Sequence, residues 1–290
     1  MVDWSAPMPD LLYGTAWKED QTAVLVEQAL KAGFRGIDTA AQPRHYNEAL
    51  VGSAVRTAVL TGVVEERRAL FIQTKFTPIG GQDLDNLSYD PTSSLEDQVH
   101  ASVMSSLGNF DYIDCLILHS PLDTLPETVR VWKALETYVP HCIRRLGISN
   151  TTIRTLDHLC TDPGIRVRPA CVQNRFSPAT RWDIVIRAYC RERDIKFQAF
   201  WILTGNPELL ASKPVLELAE GAAIGAPIAL YALVLGLQGT AILSGTTDWK
   251  HMNDDLKVTE VVDVFSRSES GRKTWSDCLS EFKKMIGEVH

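Results

Sequence analysis

Short apolar runs alternate along this chain with longer segments in which apolar residues recur at helical spacing. From Leu11 onward the β-rich runs fall at 11–14, 34–38, 70–75, 113–118, 143–148, 170–174, 195–200 and 240–243. That order predicts a parallel sheet with crossover helices, and eight is the strand number of a (β/α)8 TIM barrel. Between the runs, TAVLVEQALKAG (22–33) places apolar residues at 24, 25, 29 and 30 on one stripe and finishes in glycine, a common helix stop. SLEDQVHASVMSSLG (94–108) repeats the design, with Ser94 and Asp97 at capping-box spacing.

No Pro-, Gly- or Ser-rich linker divides the chain, and it carries no sequence-level repeat. The expectation is one α/β barrel domain over 1–290, with a C-terminal helix at about 274–287 packed outside the barrel or near its mouth. The longest irregular stretch, 77–92, follows the third strand, where a loop of that length is expected to act as a partial lid.

Composition narrows the class. Over 290 residues, 45% hydrophobic and 22% charged side chains fit a soluble globular protein, and a net charge of −7 argues against a nucleic-acid-binding surface. The six cysteines are scattered without a CxxC pair, several inside apolar runs, which points to buried thiols in a reducing cytoplasm. The opening MVDWSAPMPD does not read as a secretory signal. The longest uncharged run, Gly221 to Leu237, contains Pro227 and falls just short of a bilayer span, so a buried barrel helix is expected there. There is no GxGxxG after a strand, no Walker motif, no HExxH and no GxSxG, and His and Cys do not cluster at zinc spacing, so no metal is predicted.

Candidate chemistry gathers at strand ends. GFRGIDTA reaches Asp38, LFIQTKF reaches Lys75, CLILHSP reaches His119, and HYNE places Tyr46 shortly after the first of these. In a parallel barrel, strand ends converge on one face, so residues distant in sequence can share a site. A Lys75–Asp38 pair beside Tyr46 favours phenolate, which is expected to lower the tyrosine pKa and make it a usable general acid. Neutral His119 would donate a hydrogen bond to a carbonyl oxygen. Trp17, Phe76, Leu122, Phe176 and Trp201 follow or lie close to strand ends and are candidates for an apolar substrate pocket, with Arg175 beside them.

With GTAWK (14–18), GFRGIDTA (33–40), HYNEALVG (45–52), QTKF (73–76), DYIDCLILHSP (111–121), RRLGISN (144–150) and VQNRF (172–176), nearly the whole chain resembles the aldo-keto reductase superfamily of (β/α)8 oxidoreductases. The resemblance implies the tetrad Asp38, Tyr46, Lys75 and His119, with Tyr46 giving the proton while a nicotinamide delivers hydride. The tyrosine region departs from the family: Tyr46 abuts Asn47, whereas the commonest family pattern has a shorter Asp-to-Tyr spacing and a residue between Tyr and Asn-Glu. Aligned from Asn-Glu, His45 takes the tyrosine position. Tyr46 is preferred, since a loop can absorb the inserted QPRH, and His45 is the alternative acid. The wording is similar to a branch of fungal members carrying DTA, QP and HY in this order.

The resemblance also implies that Ser149, Asn150 and Gln173 hold the nicotinamide carboxamide and that Phe200 stacks where relatives have tyrosine, with Trp201 reshaping that wall. In LSGTTDWKHMNDDL (243–256), Gly245 replaces the family's lysine, Thr246 its serine, His251 its arginine, Asp254 its glutamate and Asp255 its asparagine. Thr246, the helix-start amides, and His251 or Lys250 are left for a 2′-phosphate. NADP(H) is the expected cofactor, as in most relatives, and NAD(H) its rival. The implied function is reduction of an aldehyde or ketone on a small or secondary-metabolite substrate, or the reverse oxidation, with no nucleic-acid or membrane partner. Two alternatives are reduction of a conjugated double bond or unusual ring, and a nucleotide-binding regulatory barrel of weak activity.

Overall fold

The eight apolar runs are strands, and they close in sequence order into a parallel barrel in a computed structural model that describes residues 7–288. The first six residues of MVDWSAPMPD and residues 289–290 lie outside the described residues. The strands are β1 (Leu11–Gly14), β2 (Gly36–Asp38), β3 (Phe71–Phe76), β4 (Cys115–Leu118), β5 (Leu146–Ser149), β6 (Cys171–Arg175), β7 (Lys196–Phe200) and β8 (Thr240–Ser244). Several are shorter at their start than the apolar run that contains them. Ile113 and Ile143, for example, meet only in an isolated parallel bridge below β4 and β5.

Contacts divide the chain into two units, the first ending at Gln173 and the second starting at Asn174. In the first, the crossovers are α1 (Thr22–Ala32), α2 (Glu48–Leu60), α3 (Leu95–Asn109), α4 (Leu125–Glu136) and α5 (Ile153–Thr161). Gly33, at φ 125°, stops α1 where a side chain would be strained. Ser94 caps α3 by accepting from the Asp97 N–H at 3.2 Å, but the short Asp97 carboxylate takes the Ser94 hydroxyl and not its backbone. Thr124 and the longer Glu127 complete the reciprocal box on α4.

The second unit holds α6 (Ile184–Glu192), α7 (Pro207–Leu210), α8 (Lys213–Gly221), α9 (Ala226–Leu235), α10 (Trp249–Asp255), α11 (Val258–Asp263) and α12 (Gly271–Met285). Most of the uncharged run is α9, buried on every side from Ile228 to Val234. Among the described residues no single helix is long and apolar enough to cross a membrane. The C-terminal helix begins a turn earlier than its apolar pattern suggests, because Ser268 Oγ accepts from the Gly271 N–H at 2.9 Å.

Register decides what faces the barrel interior. Gly14 pairs with Asp38, Asp38 with Gln73, Lys75 with Ile117, and Ser149 with Gln173. Residues paired across a parallel ladder point the same way, and so do residues two apart on one strand. Asp38, Gln73 and Lys75 therefore share the inner face, and Gln173 joins them from β6. At Gly147, a Cβ would run into the Cys171 sulfur and lie 3.2 Å from Ile117 Cγ1 and the Cys171 carbonyl, so β5 admits only hydrogen at that point.

Candidate active site

Lys75 is wholly buried, and its ammonium donates to both Asp38 oxygens at 2.7 Å and to the Thr39 carbonyl at 2.8 Å. Carboxylate and carbonyl oxygens thus surround the ammonium, the condition for keeping a charge out of water. Asp38 Oδ1 also accepts from Gln73 Nε2 at 2.6 Å and from Gln173 Nε2 at 2.9 Å. Burial works to lower the Lys75 pKa, but Asp38 and Tyr46 outweigh it and hold the ammonium above its usual value.

Tyr46 stands over this pair, with Lys75 Nζ 5.1 Å from its ring centre and hydrogen-bonded to its hydroxyl. What fixes the tyrosine is the start of α2. Asn47 caps the helix by accepting from the Leu50 N–H at 3.1 Å, and buried Glu48 accepts from the hydroxyls of Thr74 and Ser106. The inserted residues before it are cross-tied to the loop after β3: Gln42 Nε2 donates to the Gly81 carbonyl at 2.6 Å, and Gln82 Nε2 to the Ala41 carbonyl at 3.0 Å.

The expected depression of the tyrosine pKa is corrected here. Burial is the largest influence and holds the phenol above its ordinary value; Lys75 pulls it down, while Asp38 pushes back up.

His119 lies edge-on to Tyr46, ring centres 6.0 Å apart. Its Nδ1 is 2.7 Å from the hydroxyl of Thr77, a residue the motif reading passed over. Period two from Lys75 and Ile117 puts Thr77 and His119 on the same face, one step beyond the Phe76–Leu118 pair, and that signal was available in the sequence. Burial, then the charges of Lys75 and His45, push the imidazole down to about 3, so it is neutral at working pH.

The His45 ring lies tilted against Trp17 with ring centres 3.6 Å apart, and its carbonyl accepts from the Trp17 N–H at 2.7 Å. Burial and Arg44 lower its pKa. Trp17 is 67% exposed and sits at φ 62°, an uncommon conformation for a bulky residue that is often found at functional sites.

Of the residues expected to hold the carboxamide, Asn150 is exposed at φ 50° just past β5. Its Nδ2 donates to the His119 carbonyl at 2.9 Å and to Ser149 Oγ at 3.2 Å, which leaves Oδ1 as an acceptor for an amide NH2. The Ser149 hydroxyl donates to the Gln173 carbonyl at 2.6 Å, and the Gln173 side chain already serves Asp38. In the second unit, half-buried Phe200 ends β7 next to Trp201, which is 54% exposed at φ 61°. The donor and acceptor set of Asn150 and Ser149 fits the carboxamide of a nicotinamide.

The 2′-phosphate end fits less well. The Asp248 carboxylate caps α10 by accepting from the His251 N–H at 2.9 Å, and Thr246 Oγ1 accepts from the Asp248 N–H at 3.1 Å. The helix-start amide expected to receive phosphate is occupied by an acid. Asp255 is buried and bonded to the Ser244 hydroxyl, and burial pushes its carboxyl up to about 6. It faces Ser244 and not an outside ligand. Lys250 and His251 are exposed, beside Asp248 and Asp254.

Two expected pocket residues lie elsewhere, for a reason of parity. Phe76 is one residue past inward-facing Lys75 and so points outward, buried against Tyr89 with ring centres 5.8 Å apart. Phe176 is likewise out of phase with Gln173 and is buried under Arg187, 5.8 Å from the ring centre. Leu122 is half-buried in the loop after β4. The guanidinium carbon of exposed Arg175 lies over Trp201, 4.6 Å from its ring centre. The 77–92 stretch is anchored where a lid would hinge: Gln82 Nε2 and the Tyr89 hydroxyl both donate to the Thr77 carbonyl, at 3.2 and 2.7 Å. Its exposed tip is 84–86.

Residues 11–211 match the sequence pattern of the Aldo/keto reductase family. Among curated proteins, the chain is 26% identical over 281 residues to 7-acetyl-epi-neemfruitin B aldo-keto reductase of Melia azedarach, covering 87% of this chain and 80% of that one. It is 25% identical over 288 residues to Prostaglandin F synthase 1 of Bos taurus, covering 87% and 83%. Among solved structures, MGS-M4, an aldo-keto reductase enzyme from a Medee basin deep-sea metagenome library, aligns with a TM-score of 0.74 at 20% identity, covering 95% of this chain and 93% of that one. That likeness bears on the fold alone.

Proposed function

The chain belongs to the aldo/keto reductase family, and on that premise we propose that it reduces an aldehyde or ketone on a small molecule to an alcohol, with Tyr46 as the proton donor. The observation that carries this reading is the buried Lys75–Asp38 pair under the Tyr46 hydroxyl, with a neutral imidazole edge-on to the same ring. Bound reduced nicotinamide supplies the hydride. Asn150 Oδ1 and Ser149 are the residues that would hold its carboxamide.

The chain's own part is proton chemistry. His119 donates a hydrogen bond to the substrate oxygen and so fixes where negative charge develops. Tyr46 then passes its phenolic proton to that oxygen, and the Lys75 ammonium stabilises the phenolate left behind. Asp38 keeps Lys75 charged and aimed. Burial of the Lys75–Asp38 pair keeps water from it, which strengthens the interactions it makes. The acids around α10 support NADH as a cofactor at least as well as NADPH. The exposed Trp17 indole supports an apolar group on the substrate.

Tyr46→Phe keeps the ring and removes the proton. It should lower kcat on a panel of aldehydes and ketones by roughly a thousandfold, the scale of a lost general acid, with the cofactor Kd unchanged. His45→Ala should keep most of the rate. Loss of turnover in His45→Ala with retention in Tyr46→Phe would exchange their roles.

A further inference from the structure

Neutral imidazole has two tautomers, and only one places a hydrogen on the nitrogen that can reach a substrate. His119 Nδ1 lies 2.7 Å from Thr77 Oγ1, so whichever of the two supplies the hydrogen decides what Nε2 can do. Among the described residues the Thr77 hydroxyl makes no second hydrogen bond. It has one proton and no carbonyl or carboxylate to give it to, so the proton goes to Nδ1.

We propose that Thr77 is a positioning residue whose hydroxyl donates to His119 Nδ1 and holds the imidazole as the Nε2–H tautomer, the form that donates to a carbonyl oxygen. This deepens the carbonyl-reductase reading and, for its catalytic consequence, rests on it. With the imidazole neutral down to about pH 3, its tautomer and not its charge sets its role.

Both partners are fixed for the task. The Thr77 carbonyl accepts from the Tyr89 hydroxyl at 2.7 Å and from Gln82 Nε2 at 3.2 Å, and the same Gln82 nitrogen reaches Ala41 at 3.0 Å. Gln82 thereby ties Thr77 to the loop that carries Tyr46. On the other side, the His119 N–H donates to the Phe76 carbonyl at 2.9 Å, and the His119 carbonyl accepts from Asn150 Nδ2 at 2.9 Å. Backbone on two adjacent strands therefore sets the distance between hydroxyl and ring. Without the hydroxyl, no other hydrogen bond among the described residues holds Nδ1 as an acceptor, and only the modest intrinsic preference of imidazole for Nε2–H remains.

The test uses the full chain with 15N-labelled histidine, the His119 signals being assigned by their loss in His119→Asn. Long-range 15N–1H correlations report which ring nitrogen carries hydrogen. The wild type and Thr77→Ser should show Nε2–H; Thr77→Val, which keeps the shape and loses the hydroxyl, should show a mixture or Nδ1–H. In parallel, kcat should fall about tenfold in Thr77→Val, with cofactor Kd unchanged, and recover in Thr77→Ser. Nδ1–H in the wild type overturns the proposal, as does a valine variant with unaltered tautomer. Should Thr77→Val fail to fold, Thr77→Ala takes its place and should lose the Nε2–H bias in the same way. If the tautomer behaves as stated while the wild type turns over no carbonyl, the Thr77 assignment stands and the proposed function fails.

Discussion

At the scale of single residues, Asp38, Lys75 and His119 were legible because each closes an apolar run with a group costly to bury, and Tyr46 through the HYNE motif that follows the first of them. What stayed hidden was how burial and neighbours sum on the phenol. Positive charge alone predicts a lowered Tyr46 pKa, but burial and Asp38 together win over Lys75. The sign matters for pH dependence. Reduction needs the phenol protonated and the imidazole neutral; a raised phenol pKa and an imidazole near 3 meet both conditions across the neutral range. We therefore expect kcat/KM for reduction, at saturating cofactor, to stay flat within about twofold from about pH 5 to about pH 9. Oxidation of the alcohol needs phenolate and should climb steadily over the same window. A reduction limb near the ordinary histidine value that disappears in His45→Ala would assign the acid to His45. Thr77 escaped a reading by motif because threonine after a strand is unremarkable; only counting by twos from Lys75 places it beside His119.

Elements were read more securely than the contacts between them. All eight strands, and helices such as α1 and α3, follow from apolar runs and caps, since both are local signals. Phe76 and Phe176 lie at or just past strand ends, but each is out of phase with an inward-facing residue, Lys75 or Gln173, and so faces away from the pocket. The start of α10 shows a second limit. A helix start attracts anions in general, but here the Asp248 side chain already satisfies the His251 amide, and its charge opposes a phosphate. With Gly245 where relatives have lysine, Lys250 is the one cation of fixed charge in 245–255, against Asp248, Asp254 and Asp255. Quenching of intrinsic fluorescence should therefore give NADH a Kd equal to or below that of NADPH. Asp248→Asn should tighten NADPH by about threefold to tenfold, the worth of one exposed charge near a helix end, and leave NADH unmoved. NADPH binding tenfold tighter than NADH to the wild type would show that other cations serve the phosphate.

Stability of the molecule as a whole depends on pairings that no local pattern announces, and the clearest joins residues a hundred positions apart. Glu288, near the C-terminal end of the described chain, accepts from Arg187 Nη1 at 2.6 Å and lies 3.0 Å from Arg191, both on α6. Arg187 is almost wholly buried; its Nε donates to the Trp182 carbonyl at 2.8 Å. The Trp182 indole in turn donates to Asn206 Oδ1 at 2.8 Å, and Asn206 Nδ2 donates to the Phe176 carbonyl at 2.6 Å. One carboxylate thus secures the loops after β6 and β7, including three successive residues, Arg181, Trp182 and Asp183, held at positive φ. Removing it leaves a guanidinium buried without its counter-charge, which is far costlier than losing an exposed pair. Glu288→Gln should lower the unfolding free energy by about 3 kcal/mol in chemical denaturation, whereas Asp277→Asn, which breaks the exposed pair with Lys273, should change it by less than about 0.5 kcal/mol. Equal and small effects from both substitutions would mean that water reaches Arg187 and that the C-terminal anchor is weaker than its geometry implies.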